Sequence, residues 1–282
     1  MKLVVWKDYG QLGNRLLTFS SLIALSLHKN WSIYNPSFKI YSSYFEYFEP
    51  QFVPCYKAKK STNIVDVIFD TKIFWSIINT LLTKKPVLNC LRRTNLLFEV
   101  NDLKTLDMHD IEKLLIDYNN FFLVWAAWAL NCEELRSKYR DALVTIFRPQ
   151  KFIRETVDKN FSRLASQKLT IGVHIRRGDY ISWENGKYFF SYELYNELML
   201  RFEDLYGSNN VQFLICSNER VPNNLLEFKS RVFLNGSTMD DLYTLAKCDV
   251  IVGPPSTFSE WAAFYGAKKR FVFNGLLPVK KL

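Results

Sequence analysis

From residue 170 onward, short β-branched runs alternate with helix-like segments, and that alternation leaves few folds open. Strand-like runs cover 170–175, 211–216, 250–252 and 270–273, with a shorter one at Val232-Phe-Leu234. Helical periodicity fills 191–206, 239–247 and 257–266 between them, and 151–167 reads as a helix leading in. Strands separated by helices cannot be hairpin partners. They pair in parallel through crossovers, which gives a doubly wound α/β layer.

The N-terminus opens in the same pattern. Leu3–Trp6 is a short apolar run, and Gly10-Gln-Leu-Gly13-Asn14-Arg15 is a glycine-bearing loop. Leu16–His28 has apolar residues at 16, 19, 23, 24 and 27, close to helical spacing, and Trp31–Tyr34 is a second strand. This is the start of a Rossmann-like βαβ unit. The region that follows is less regular. Tyr41–Glu49 is rich in aromatics and reads as a helix lining a cleft, and 69–82 and 110–115 read as helices. Residues 121–128 fit either a buried strand or a core helix, and 132–147 reads as one helix stopped by Pro149. A boundary near residue 165 divides the chain into domains 1–165 and 166–282.

Composition narrows the partners. The 282 residues are 48% hydrophobic and 16% aromatic, enough for a sizeable core, and the net charge is +9. Such a charge favours anionic partners. The basic residues are dispersed, in short groups such as Lys57–Lys60, Lys84-Lys85 and Lys268–Arg270, and no nucleic-acid-binding motif is present. Cysteines at 55, 90, 132, 216 and 248 form no CxxC pair, and three scattered histidines make no metal signature. No 18-residue apolar segment suggests a membrane span, and the strand-like start suggests no signal peptide. A cytoplasmic protein is expected, at the inner face of the membrane if its basic surface meets anionic lipid.

Three loops that follow strands carry polar chemistry. The most informative is His174-Ile-Arg176-Arg177-Gly-Asp179-Tyr180, where a buried strand ends in two guanidinium groups. A guanidinium is a rigid fork of donors that matches a phosphate. In a parallel sheet, ligands bind beyond the carboxyl ends of the strands, where these arginines stand. The plainer alternative is two surface arginines paired with Asp179. The second loop is Gly253-Pro-Pro-Ser256-Thr257-Phe-Ser259, where Ser256 and Thr257 either cap a helix or hold a phosphate at its N-terminus, or do both. The third is Gly10–Arg15, a tight turn or a close approach to ligand. Asp240 and Asp241 open the helix before strand 250–252, as dipole partners or as acceptors from a base or ribose. No Walker sequence and no Asp-x-Asp at a strand end are present.

His174-Ile-Arg-Arg-Gly-Asp-Tyr180 resembles the HxRRxD signature of fucosyltransferases that use GDP-fucose. Gly10–Arg15 resembles the GGLGNQ loop of the α-1,2-fucosyltransferase family, and Pro255-Ser-Thr-Phe-Ser-Glu-Trp-Ala-Ala resembles its SSFSWWGAWL-like segment. The motifs come in the family's order, although residues 35–165 carry none. The resemblance implies a GT-B fold, two Rossmann-like domains facing a central cleft. The N-terminal domain would take the acceptor and the C-terminal domain the GDP-sugar. It also implies an inverting, metal-independent transfer without a cofactor.

By position, Arg176 would grip the β-phosphate and offset charge on the leaving diphosphate. His174 would lie by the nucleoside, Arg177 would organise the loop, and Asp241 would meet the guanine. Ser256 or Thr257 would bind phosphate, with Gly13, Asn14 and Arg15 lining the substrate. Glu184 or Asp179 would take the acceptor proton, Glu184 being favoured, while Asp179 could instead lock Arg177. Trp183 and Tyr188 would either stack on a sugar or belong to the core. Two departures stand out: Arg15 replaces the family's Gln, and Glu260-Trp261 replaces paired tryptophans. The expected activity is transfer of L-fucose to a hydroxyl, galactose O2, of an oligosaccharide or lipid-linked glycan built for a surface polysaccharide. The rivals are another GDP-sugar or linkage, or a non-catalytic nucleotide- or glycan-binding protein.

Overall fold

A computed structural model of the chain describes residues 2–5, 10–49, 52–57, 71–82, 84–94, 123–125, 132–165, 167–221, 231–234 and 236–278. The chain divides into two compact units, Met1–Gln150 and Lys151–Leu282.

The first unit is built on a four-stranded sheet. Strand β1 (Lys2–Val5) leads into α1 (Leu12–Lys29), and β2 (Ser32–Tyr34) pairs parallel to β1 with Leu3 opposite Ile33. On the outer side of β2 lies antiparallel β3 (Cys55–Lys57), and on the far side of β1 lies parallel β4 (Leu123–Trp125). Helices α2 (Lys39–Ser42), α3 (Lys72–Leu82), α4 (Lys85–Arg93), α5 (Glu133–Lys138) and α6 (Arg140–Ile146) complete its described part.

α1 is buried along most of its length, which its small serines allow. Ser21 accepts at 3.0 Å from the buried Arg136 of α5, so a charged side chain is anchored inside this layer. α1 ends at Asn30, whose φ of 60° lies in the left-handed region that asparagine tolerates.

Phe19 of α1 is ringed by Phe38, Phe48 and Phe147 at centroid distances of 5.1, 5.5 and 5.7 Å. Phe45 joins them, and each buried ring stabilises the unit by roughly 1.5–3 kcal/mol. This corrects the expectation for Tyr41–Glu49. Helix ends at Ser42, and Phe45 and Phe48 are core residues, not a cleft lining. Likewise 132–147 is two helices, broken at Tyr139, where ψ is 22°. The helix expected at 110–115 lies outside the described residues.

The second unit begins at α7 (Lys151–Phe161), which packs beside α9 (Thr238–Leu245), some residues before the boundary expected near 165. Its sheet has five strands: β5 (Leu169–Ile175), β6 (Val211–Ser217), β7 (Arg231–Phe233), β8 (Val250–Gly253) and β9 (Lys269–Val272). They run in the order β7-β6-β5-β8-β9, every pair parallel. On one face α8 (Tyr192–Tyr206) sets Tyr195, Leu198, Met199 and Phe202 against Ile171, Val173, Phe213, Ile215 and Val252, all essentially inaccessible. On the other, a Cβ on Gly172 would meet Leu245 Cδ1 at 2.5 Å, so only glycine lets the end of α9 lie this close to the sheet.

Candidate active site

The strand order creates the site of the second unit. β5 continues outward to β6 on one side, while the chain returns to place β8 on the other, with Ile171, Gly172 and Val173 opposite Val250, Ile251 and Val252. Neighbouring strands whose connections leave in opposite directions open a crevice at their carboxyl ends. The segments that leave there are His174–Tyr180 and Gly253–Thr257. Two features tie them together. The Tyr180 hydroxyl donates to the Pro255 carbonyl, and the His174 ring lies 5.1 Å from that of Phe258.

The two arginines have different surroundings. Arg177 Nε donates to Glu219 Oε1 at 2.6 Å and its Nη1 to the Phe190 carbonyl at 2.7 Å. Its guanidinium also lies 4.2 Å from the Phe189 ring centroid and 4.5 Å from that of Tyr192, and its backbone N–H donates to Asn218. That is the geometry of a brace. Arg176 instead donates from Nη2 to Asp179 Oδ2 at 2.8 Å and lies 5.5 Å from the Tyr180 ring centroid. Asp179 therefore pairs with Arg176, which corrects the alternative that it locks Arg177.

His174 is buried, and its Nδ1 has no hydrogen-bond partner among the described residues. Burial, reinforced by the charges of Arg176 and Arg270, pushes its pKa down to about 3, so the ring is neutral at physiological pH. Sequence reasoning missed Arg270. It stands on β9 opposite Ile251, with Glu260 Oε2 at 3.7 Å and, among the described residues, no hydrogen-bond partner for its buried Nε. Its signal was the departure at position 260, where an acid replaces an aromatic. Read as part of a surface-like Lys-Lys-Arg run, Arg270 showed nothing. Glu219, Asn218 and Tyr180 also join the site through contacts that only the fold creates.

Helix α10 (Thr257–Gly266) starts at this crevice, with Ser256 as its N-cap accepting from the Phe258 N–H. The Thr257 hydroxyl makes no hydrogen bond among the described residues. At the start of α9, Ser237 and Asp240 form a reciprocal capping box, which occupies Asp240. Asp241 is left with a buried Oδ1 that has no hydrogen-bond partner among the described residues. Burial, partly offset by the Gly236 backbone and assisted by Asp240, raises its pKa to about 6.

Beyond Arg177 the chain makes two 3₁₀ turns, Gly178–Ile181 and Trp183–Gly186. Trp183 is 38% exposed and contacts the rings of Tyr180 and Tyr188, with centroids at 4.6 and 5.4 Å. Glu184 and Asn185 both have positive φ, 50° and 56°, and the Glu184 carboxylate is exposed. Two consecutive non-glycine residues in the left-handed region are uncommon and mark a strained loop.

In the first unit, the Gly10–Arg15 loop enters α1. Gly10 has φ 59°, and a Cβ there would meet the Asn14 amide at 2.0 Å. Gly13 is buried in the first turn. Arg15 donates to the carbonyls of Gly10 and Ser37, at 3.1 and 2.7 Å, and so holds the loop against the turn after β2. Among the described residues no group of three or more His, Cys, Asp or Glu side chains could hold a metal ion.

The doubly wound, all-parallel sheet that reverses direction between β5 and β8 is that of a glycosyltransferase of GT-B fold. The family model described as glycosyl transferase family 11 matches residues 71–273, and the chain belongs to that family. The fold is similar to that of NodZ α-1,6-fucosyltransferase soaked with GDP-fucose, with a TM-score of 0.56 at 13% identity, covering 94% of this chain and 92% of that one. POFUT1 in complex with GDP gives 0.55 at 13% identity, covering 98% of both chains. Arabidopsis thaliana FUT1, a mutant in complex with GDP, gives 0.55 at 13%, covering 96% and 70%. No curated protein matches the chain significantly.

Proposed function

We propose that this glycosyltransferase moves L-fucose from GDP-fucose to a glycan hydroxyl, galactose O2, with inversion at the fucose anomeric carbon. The observation that carries the reading is the position of Arg176 at the carboxyl end of β5, one residue pair from a His174 that touches the first turn of α10. In this reading the diphosphate lies on the Arg176 guanidinium and the α10 N-terminus, where the Thr257 hydroxyl supplies a further donor. Asp241 Oδ1 accepts from the guanine, which supplies the partner that it lacks. Neutral His174 packs by the nucleoside, and Ser256 keeps the helix start in place. Arg177 is a positioning residue. Gly13, Asn14 and Arg15 belong to the acceptor-side domain, and Trp183 offers an aromatic face to a sugar ring.

In the transfer step the acceptor oxygen attacks the anomeric carbon as the bond to the diphosphate oxygen breaks. The acceptor proton passes to a carboxylate, and the leaving diphosphate takes the bonding electrons. Arg176 stabilises that developing charge, and fixed guanidinium charge makes a metal unnecessary in this scheme. Glu184 is the base of choice. Asp179 already accepts from Arg176, whereas the exposed Glu184 carboxylate makes no hydrogen bond among the described residues.

The test is GDP release and product formation from GDP-fucose with a panel of galactosides in EDTA, with GDP-mannose as the competing donor. Wild type is expected to transfer fucose, and Arg176→Ala to lose about 10²–10³-fold. Glu184→Gln is expected to lose kcat by about 10²–10⁴-fold with GDP binding intact. Transfer from GDP-mannose alone would assign a different donor. No transfer and no GDP binding would leave a glycan-binding protein of the same fold.

A further inference from the structure

We infer that α3 and the start of α4 form a docking surface for an anionic lipid bilayer. One face of α3 is committed to the core of the first unit. Trp75 is buried 5.9 Å from the Tyr34 ring, and Phe74 and Ile78 pack against the cluster of Val4, Tyr34 and Val53. The opposite face presents Ile73, Ile77 and Leu81, which are 75%, 56% and 44% exposed. Spaced by four residues, they stand one above another in an apolar stripe about 12 Å long. The Thr80 hydroxyl donates to the Ser76 carbonyl of its own helix at 2.9 Å.

The charge around the stripe identifies the partner. Residues 71–94 contain Lys72, Lys84, Lys85, Arg92 and Arg93 and no aspartate or glutamate. Lys84, Lys85 and Arg93 are exposed and form no ion pair among the described residues. An apolar helix face with basic residues at its end is the pattern that lies in a membrane interface. The aliphatic side chains enter the acyl boundary and the cations meet anionic headgroups. A second copy of this chain would bring its own Lys84, Lys85 and Arg93 to the contact and be repelled. A nucleic acid would use the cations and leave the aliphatic stripe in water. The surface lies in the first unit and needs no assumption about the donor or acceptor.

The test is co-flotation of the full-length protein with vesicles of phosphatidylcholine, with and without about 30% phosphatidylglycerol. Wild type is expected to float with the anionic vesicles, not the neutral ones, and to be released by high salt. Ile77→Asp with Leu81→Asp is expected to lower partitioning at least about tenfold. Lys84→Glu with Lys85→Glu should do so by about fivefold or more per residue. All these side chains point away from the core, so thermal melting of both variants should match wild type. The inference fails if wild type ignores anionic vesicles, or if either folded variant binds them as well as wild type. It also fails if light scattering shows a dimer that Ile77→Asp with Leu81→Asp converts to monomer, which would make the stripe a self-interface.

Discussion

The His174 carbonyl lies so close to Gly253 that a Cβ on the glycine would come within 2.7 Å of it. The carboxyl ends of β5 and β8 meet through this approach. Gly253→Ala must therefore push the two strands apart where their loops begin. The expected cost is about 1–3 kcal/mol, read as a lower melting temperature. An unchanged Tm would mean that the strand ends yield easily and that the approach has no structural role.

Adjacent arginines are expected to fail in opposite ways. Arg177→Ala removes the partner of Glu219 and of the Phe190 carbonyl together with two ring contacts, and should destabilise by about 1–3 kcal/mol. Arg177→Lys should not restore it, because an ammonium cannot reproduce the fork. Arg176→Ala removes the ion pair with the exposed Asp179 and the contact with the Tyr180 ring and should destabilise by about 1 kcal/mol or less, while lowering transfer by about 10²–10³-fold. Equal melting of the two alanine variants would contradict this division.

Asp241 should make stability and nucleotide binding depend on pH in opposite senses. Its folded pKa, about 6, lies above the ordinary aspartate value of 3.8, so the native state holds that proton more tightly than the unfolded chain. The stabilisation from the neutral form is complete at pH values below the unfolded pKa. It is lost as pH rises through about 6. Asp241→Asn should thus raise the Tm at pH 8, with the gain fading towards pH 4. A guanine that donates to the carboxylate needs it ionised, so wild-type GDP affinity should fall below about pH 6 and that of Asp241→Asn stay weak and flat. Calorimetric titration across this range measures both. A pH-independent affinity in wild type would remove Asp241 from the base site.

Arg270 should contribute to donor binding through its charge. Arg270→Met keeps the aliphatic length and removes the cation that Glu260 only partly compensates at 3.7 Å. The expected result is about a tenfold weaker GDP affinity with kcat nearly preserved. Glu260→Gln should act the other way and tighten GDP. If Glu260→Gln weakens GDP instead, the acid itself contacts the ligand.

The second unit was legible because its central strands β5, β6 and β8 are buried on both faces, so they read as unbroken runs such as 170–175 and 250–252. The start of α10 was legible because Ser256 caps it by local chemistry. The pairing of distant side chains was not. Nothing local says that Arg177 meets Glu219, 42 residues away, or that Asp179 prefers Arg176. Phe45 and Phe48 misled because aromatic density is the same for a core wall and a sugar platform, and only burial separates them. At Tyr139 the helix breaks without glycine or proline, so periodicity ran through it.

The parallel sheet also sets an order of assembly. The Thr170 N–H bonds to Asp249, 79 residues further on, and β8 in turn is flanked by β9 near the end of the chain. Pairings of such long range form late and slowly. On the ribosome, β5 emerges with its arginines long before the strand that completes their surroundings. The nascent chain therefore carries an unsheltered edge on β5, and the crevice beside Arg176 stays open on one side, until β8 and β9 are made.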